Sequence, residues 1–322
     1  MSKMTYAEGI REAMSIRMRE DPNVVLFGED VGAFGGCFGV SAGMIEEFGA
    51  ERIRDTPISE GAIIGCAVGA AATGLRPIAE LMFCDFLTVG MDQLVNQAAK
   101  MRYMFGGKIS MPMVVRLPAG AGSGAAAQHS QSLEAWCTHI PGLKVVYPCN
   151  AQDALGLMLT AIDDDNPVIF FEGKMLYGDT CEVSSLEPIP LGKGKVVREG
   201  SGVSIITYGR QVFDALKAAD VLAKEGIDAE VIDLRSLYPL DKEIIGESIK
   251  KTNKAIVLTE EVKRGGYGGE ISAIIAEEFF DYLDAPVARI GALNTPVPFA
   301  PVLEQYYMPN ELDVIAAARK MF

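Results

Sequence analysis

Only two histidines occur, His129 and His139, ten residues apart. That spacing keeps them off one helical face at i, i+4, so an H-E-x-x-H zinc site is excluded. His129 lies in Ala126-Ala127-Gln128-His129-Ser130-Gln131, at the exit of a loop, Ala119 to Ala127, made almost entirely of Gly and Ala. An imidazole in such a place can move a proton near neutral pH. The plainer alternative is a capping or surface histidine. His139, beside Thr138 and Ile140-Pro141, reads as a buried structural residue. Gly39-Val40-Ser41-Ala42-Gly43 matches G-x-S-x-G, but Gly35-Gly36-Cys37-Phe38 precedes it where a nucleophile elbow needs an apolar strand. Gly265-Gly266-Tyr267-Gly268-Gly269-Glu270 stands between a strand-like and a helix-like run. It fits neither G-x-G-x-x-G nor a P-loop, so a tight turn is favoured over a phosphate cradle.

Glu60 closes Thr56-Pro57-Ile58-Ser59-Glu60 and directly precedes glycines at 61, 65 and 69. Those glycines share one helical face and admit a second helix closely, within the chain or across subunits. The carboxylate has two readings: a charge at a helix N-terminus, or a buried acid with a specific partner. Cys37, Cys66, Cys84, Cys137, Cys149 and Cys181 include no C-x-x-C pair. Zinc ribbons and disulfide scaffolds are disfavoured, and reduced, mostly buried thiols in a cytoplasmic protein are expected.

These residues belong to a chain of 322, enough for about two domains. Asp and Glu number 43 against 29 Lys and Arg, a net charge of −14. So acidic a surface repels phosphate backbones and anionic membranes, so neither nucleic acid nor membrane is expected as a partner. No apolar run reaches the ~20 residues of a membrane span. Residues 1–20 show no signal-peptide pattern.

Strand-like and helix-like runs alternate. Thr5 and Glu8 form a candidate capping box opening a helix, with Ile10, Ala13, Met14 and Met18 on one face. Strands are expected at 24–27, 78–82, 113–115, 143–146 and 168–171, and helices at 86–105 and 151–163. Residues 173–200, with Pro188 and Pro190, read as a connector. Strands at 203–207, 229–234 and 255–259 then alternate with helices at 211–225, 241–251 and 270–282. Two consecutive α/β units with parallel sheets are the expected result.

Several longer stretches carry a resemblance: Gly28 to Gly32, Asp55 to Glu60, Gly74 to Pro77, Asp92-Gln93 with Asn96 to Lys100, Ala126 to Gln131, Pro141 to Val146 and Asp164 to Val168. Over nearly its whole length the chain resembles the beta subunit of the thiamine-diphosphate-dependent first component of 2-oxoacid dehydrogenase complexes. The pyruvate, branched-chain and acetoin enzymes are its relatives. The resemblance implies a transketolase-like α/β fold of two domains, each a mainly parallel sheet flanked by helices. Residues 1–190 would be the pyrimidine-binding domain with its connector, and 191–322 the C-terminal domain. Tyr177-Gly178-Asp179-Thr180 lacks the second Gly of the diphosphate–magnesium motif. The resemblance therefore puts diphosphate and magnesium on an alpha subunit, in an α2β2 assembly.

By resemblance, Glu60 bonds the aminopyrimidine nitrogen N1′, supporting the imine tautomer that deprotonates the thiazolium. Phe86 packs against that ring, and Ile58 and Glu29 line the pocket. His129 stands near substrate and lipoyl group. Ala161, Asp164 and Asn166 match backbone ligands of a structural potassium ion, although an ordinary helix end explains them equally. A lipoyl acyltransferase core is the implied downstream partner, the C-terminal domain meeting its basic binding domain through acidic residues and the chain's end, with which the net charge of −14 and the Phe322 carboxylate are compatible. Residues 79–86 and 102–108 look more like acetoin than pyruvate dehydrogenases, with pyruvate and then branched-chain acids as alternatives. A non-catalytic scaffold is disfavoured by Glu60, Phe86 and His129 occurring together. A five-carbon-sugar synthase of the same superfamily is disfavoured by length and by the missing diphosphate motif.

Overall fold

The computed structural model describes residues 2–322. Packing divides them into two units. One runs up to Ala119 and takes in Trp136–Leu191; the other joins Gly120–Ala135 to Gly192–Phe322. The loop bearing His129 thus belongs to the second unit.

In the first unit the elements are β1 (Ser2–Thr5), α1 (Tyr6–Glu20), β2 (Val24–Gly28), α2 (Met44–Phe48), β3 (Ile53–Asp55), α3 (Glu60–Ala72) and β4 (Arg76–Glu80). After them come α4 (Leu87–Asp92), a π-helical turn (Gln93–Ala98), α5 (Ala99–Met104), β5 (Val114–Ala119), β6 (Lys144–Val146), α7 (Ala151–Asp163), β7 (Val168–Gly173) and β8 (Thr180–Val183), while α6 (Glu134–Thr138) begins in the second unit and ends in the first. The parallel strands lie in the order β6-β7-β5-β4-β2-β3. Their apolar runs are buried on both faces, as a parallel sheet requires.

The capping box forms: Glu8 N–H donates to Thr5 Oγ1 at 3.1 Å and Thr5 N–H to Glu8 Oε2 at 2.7 Å. Ile10, Ala13, Met14 and Met18 are buried against α7. Gly9 is needed for that contact, since a Cβ would sit 2.6 Å from the Ala151 carbonyl oxygen. The expected helix 86–105 is really a short 3-10 turn, α4, the π turn and α5 in succession.

The second unit holds β9 (Lys195–Arg198), β10 (Val203–Thr207), α8 (Gln211–Lys224), β11 (Ala229–Asp233), β12 (Ser236–Tyr238), α9 (Lys242–Thr252) and β13 (Ala255–Val262). It ends with α10 (Tyr267–Glu278), β14 (Ala288–Ala292), α11 (Pro301–Tyr307) and α12 (Glu311–Arg319). Its sheet runs β14-β13-β10-β11-β9, parallel except for β9. The segment read as connector therefore contributes two strands: β8 pairs antiparallel with β1, and β9 with β11. Among the described residues no helix is long and apolar enough to cross a membrane.

Candidate active site

The loops after β2 and β3 are tied together. Thr56 N–H donates to the Gly28 carbonyl at 2.9 Å, and Gly32 N–H to Asp55 Oδ1 at 2.6 Å. This holds Glu29, just past the end of β2, beside Glu60, the first residue of α3. Both are buried, at 6% and 7% exposure, and Glu29 Oε1 has no hydrogen-bond partner. Burial raises the Glu29 pKa, and the charges of Glu60, Asp30 and Glu80 raise it further. Glu60 is buried and also opens α3, so its position is compatible with both readings.

Phe86 is half-buried and edge-on to Phe83, their centroids 6.1 Å apart. One turn later, Gly90 lets α4 pack on α3: a Cβ there would lie 3.3 Å from the Glu60 carbonyl oxygen. Phe86 is thus carried to the same end of α3. The glycine stripe serves this packing in part. Cβ atoms at Gly61 and Gly65 would touch Val89 and Gln93, whereas Gly69 meets nothing within 4 Å. Ile58 is 83% exposed, an apolar side chain at the mouth of the α3 turn.

Asp164 and Asn166 lie in the turn after α7, and Ala161 lies in its last helical turn. There Asp164 Oδ1 accepts from Asn166 N–H at 2.9 Å, Lys144 pairs with Asp164, and Arg76 Nη1 donates to the Asp164 carbonyl at 3.3 Å. In the second unit His129 is half-buried, and its N–H donates to the Ala126 carbonyl at 3.4 Å. His139, read as buried, is exposed. Its polar, Pro-flanked segment ends a short helix at the surface. Three of the six cysteines, none in a disulfide, are buried, not most of them: Cys37 and Cys66 are exposed and Cys181 is half-buried. Ser41 is fully buried and donates to the Val31 carbonyl at 2.8 Å, so it is a turn residue and no nucleophile. The Gly266 turn is filled by the chain's own Glu261, which accepts from Gly268 N–H at 3.2 Å.

The transketolase pyrimidine-binding domain family matches residues 2–180, and the transketolase C-terminal domain family residues 192–314. An acetoin:2,6-dichlorophenolindophenol oxidoreductase subunit beta from Bacillus subtilis (strain 168) is 49% identical, covering 99% of this chain and 97% of that one. A pyruvate dehydrogenase E1 component subunit beta from Rickettsia felis is 48% identical, over 99% and 98%. The chain belongs to this family of dehydrogenase beta subunits. A solved structure described as a split gene transketolase, inactive beta4 tetramer, superimposes with a TM-score of 0.81 at 25% identity, over 99% and 98% of the two chains. The fold is transketolase-like, and the chain is an oxidoreductase subunit of the acetoin or pyruvate dehydrogenase type.

Two groups of buried charge in this beta subunit escape sequence reasoning. Arg116, in β5, joins Glu80 of β4 to Glu172 of β7 in the first unit. In the second unit Glu134, Glu260 and Glu261 are buried together, and both Glu134 oxygens lack a hydrogen-bond partner. Burial, then the charges of Glu261 and Glu260, push the Glu134 carboxyl well above its ordinary range. Burial lifts Glu261 to about 7, although N–H groups of Gly268, Tyr267 and Ala135 and the Tyr208 hydroxyl hold it down.

An acid raised in the folded state binds more protons there than in the unfolded chain. Glu261 therefore weakens the fold as pH climbs from its unfolded value near 4.5 to about 7, and by a constant amount above. Glu261→Gln is expected to gain roughly 2–3 kcal/mol relative to the parent between pH 5 and pH 8. Urea denaturation of both proteins across that range measures the difference. A gap that stays flat with pH would refute the assignment.

Proposed function

We propose that this beta subunit forms half of a thiamine-diphosphate site completed by an alpha subunit in an α2β2 heterotetramer, where acetoin is cleaved oxidatively. The two-carbon unit then passes to a lipoyl group of an acyltransferase core. The observation that carries the reading is the buried Glu29–Glu60 pair at one end of α3, with a Glu29 oxygen that has no partner. A buried polar atom without a partner is costly, and a polar ring from outside the unit offers what it lacks. The residues present therefore fit the aminopyrimidine end of the cofactor. When bound, thiamine diphosphate supplies an acidic thiazolium carbon and an electron sink.

The chain's own residues do the rest. The Glu60 carboxyl would hydrogen-bond the ring nitrogen N1′, in a setting poor in water. Phe86 and Ile58 give the ring apolar surface, and Glu29 keeps a second carboxyl beside Glu60. The His129 imidazole gives or takes a proton near the substrate. Magnesium and the diphosphate fall to the alpha subunit. Residues 1–190 serve as the pyrimidine-binding domain and 191–322 as the C-terminal domain, which receives the core through acidic residues and the chain's end. The reading also puts potassium on the carbonyls of Ala161, Asp164 and Asn166. The Asp164 carbonyl retains one lone pair beyond its bond from Arg76, so the ion would sit beside a guanidinium. Six cysteines outside any disulfide support a cytoplasmic location.

Acetoin is preferred on residues 79–86 and 102–108. Pyruvate is the second reading, on the near-equal identity to the two relatives, and branched-chain acids the third. The test purifies tagged chain from its own source with its co-purifying partner. Dye reduction is then followed with thiamine diphosphate and magnesium on acetoin, pyruvate and branched 2-oxoacids. Acetoin should turn over fastest and the isolated chain should be inactive. A faster 2-oxoacid would reassign the substrate, and turnover by the isolated chain would overturn the half-site.

A further inference from the structure

The loop between β5 and α6 is a segment with almost no side chains of its own to hold it. Gly120, Gly122 and Gly124 take φ values of +93°, +103° and +69°, which only glycine adopts freely. Such a run is entropically expensive to order. Alternating left-handed residues also turn successive N–H groups inward, as in an anion-binding nest. In this nest the anions come from the chain itself. Glu260, in β13, accepts from Ala121 N–H at 2.7 Å. Glu304, in α11, accepts from Gly122 N–H at 2.8 Å and, through its other oxygen, from Gly124 N–H at 3.0 Å. Both carboxylates are buried, Glu304 at 3% exposure and Glu260 at 6%. Among the described residues no Lys or Arg pairs with Glu304. Its burial is offset by charged hydrogen bonds to backbone. The fit is close: a Cβ at Gly120 would stand 2.6 Å from Glu260 Oε1.

What the clamp holds is the approach to His129. Gly120 N–H closes the loop onto the Gln131 carbonyl at 3.1 Å. Ala126 sits at φ +61°, a strained value for a residue with a Cβ, and its carbonyl receives the His129 N–H. A free Gly/Ala loop would relax Ala126 and loosen the backbone that carries His129.

We propose that Glu304, assisted by Glu260, is a positioning residue whose carboxylate clamps the 120–124 backbone and so fixes the place of His129. The functional half of this rests on the role given to His129 above; the clamp itself does not.

The test is Glu304→Gln in the full chain with its co-purifying partner. The amide replaces one acceptor oxygen by a donor that faces N–H groups. Hydrogen exchange read by mass spectrometry should show peptides spanning 119–127 opening about tenfold to hundredfold faster, the scale of a charged hydrogen bond. Peptides from β10 and α8 should be unchanged. Turnover should fall about tenfold, and His129→Ala should absorb that loss, so that the double variant is no slower than His129→Ala alone. Glu304→Asp, which keeps the charge but shortens its reach, is expected to loosen the same peptides and covers the case where Gln unfolds the unit. Unchanged exchange at 119–127 in both variants would overturn the clamp. A turnover loss additive with His129→Ala, or loosening with no loss at all, would overturn the positioning role. Failure of the functional reading itself shows separately, as no turnover by the unmodified complex on any of the substrates, and leaves the exchange result standing.

Discussion

Glu60→Gln should lower dye-reducing turnover of the assembled enzyme by about 10²–10⁴-fold, the usual worth of a positioned acid–base group. The substitution is nearly isosteric and starts α3 equally well, so assembly with the alpha subunit should persist. What it removes is a carboxyl able to hold or release a proton in a place where water is scarce. Glutamine offers an oxygen and an NH2 group but exchanges no proton near neutral pH. The structure sharpens the expectation, because Glu60 lies beside Glu29, a carboxyl already raised by burial and by its neighbours' charges. With Glu60 neutral, one of those charges is gone, so the Glu29 pKa should move down towards its ordinary value. A Glu60→Gln complex that elutes at the parental size but turns over near the parental rate would remove Glu60 from the chemistry.

Much of this arrangement was legible in the sequence, for reasons that differ by element. The Thr5–Glu8 box and the runs Val24–Phe27, Val168–Phe171 and Val203–Thr207 announce themselves through local chemistry, and each appears as read. β1, β8 and β9 do not, because each is a short, partly polar strand joined antiparallel to its neighbour. Their identity depends on a distant partner, and period and propensity say nothing about that. The site divides the same way. Glu60 stood out by its place before a glycine stripe, but spacing alone left open whether it was buried. The pairing of Glu29 with it depends on the tie between the loops after β2 and β3. Of the buried charge that went unread, Glu134 with Glu260 and Glu261, and Glu304 beneath the glycine loop, come together from segments up to 182 residues apart.

Arg116→Met carries the largest stability effect we expect. Arg116 is fully buried, ion-paired to Glu80 and forked onto Glu172, with Nε to Oε1 at 2.7 Å and Nη2 to Oε2 at 2.9 Å. The register explains the meeting: Arg116 pairs directly with Glu80 on β4, and Glu172 lies two residues along β7 from its partner Phe170. Tyr177 completes the network, its hydroxyl donating to Glu172 Oε2 at 2.6 Å. Burial already raises the Glu80 pKa, and Arg116 is what opposes it. Methionine fills much the same volume but strands two carboxylates in the sheet, at a cost of about 3–5 kcal/mol. Replacing both partners as well, in Glu80→Gln/Arg116→Met/Glu172→Gln, leaves no buried charge, so most of that loss should return. Acid should help the single variant too. Glu80, which burial already raises, loses the guanidinium that opposed the rise, so the variant's deficit is full above the raised Glu80 value and shrinks as pH falls through it towards 4.5. Denaturant midpoints of parent, single and triple variants at pH 5 and pH 8 test all three statements. A single variant within about 1 kcal/mol of the parent at pH 8, the scale of an exposed pair, would mean that the network contributes no more than a surface salt bridge.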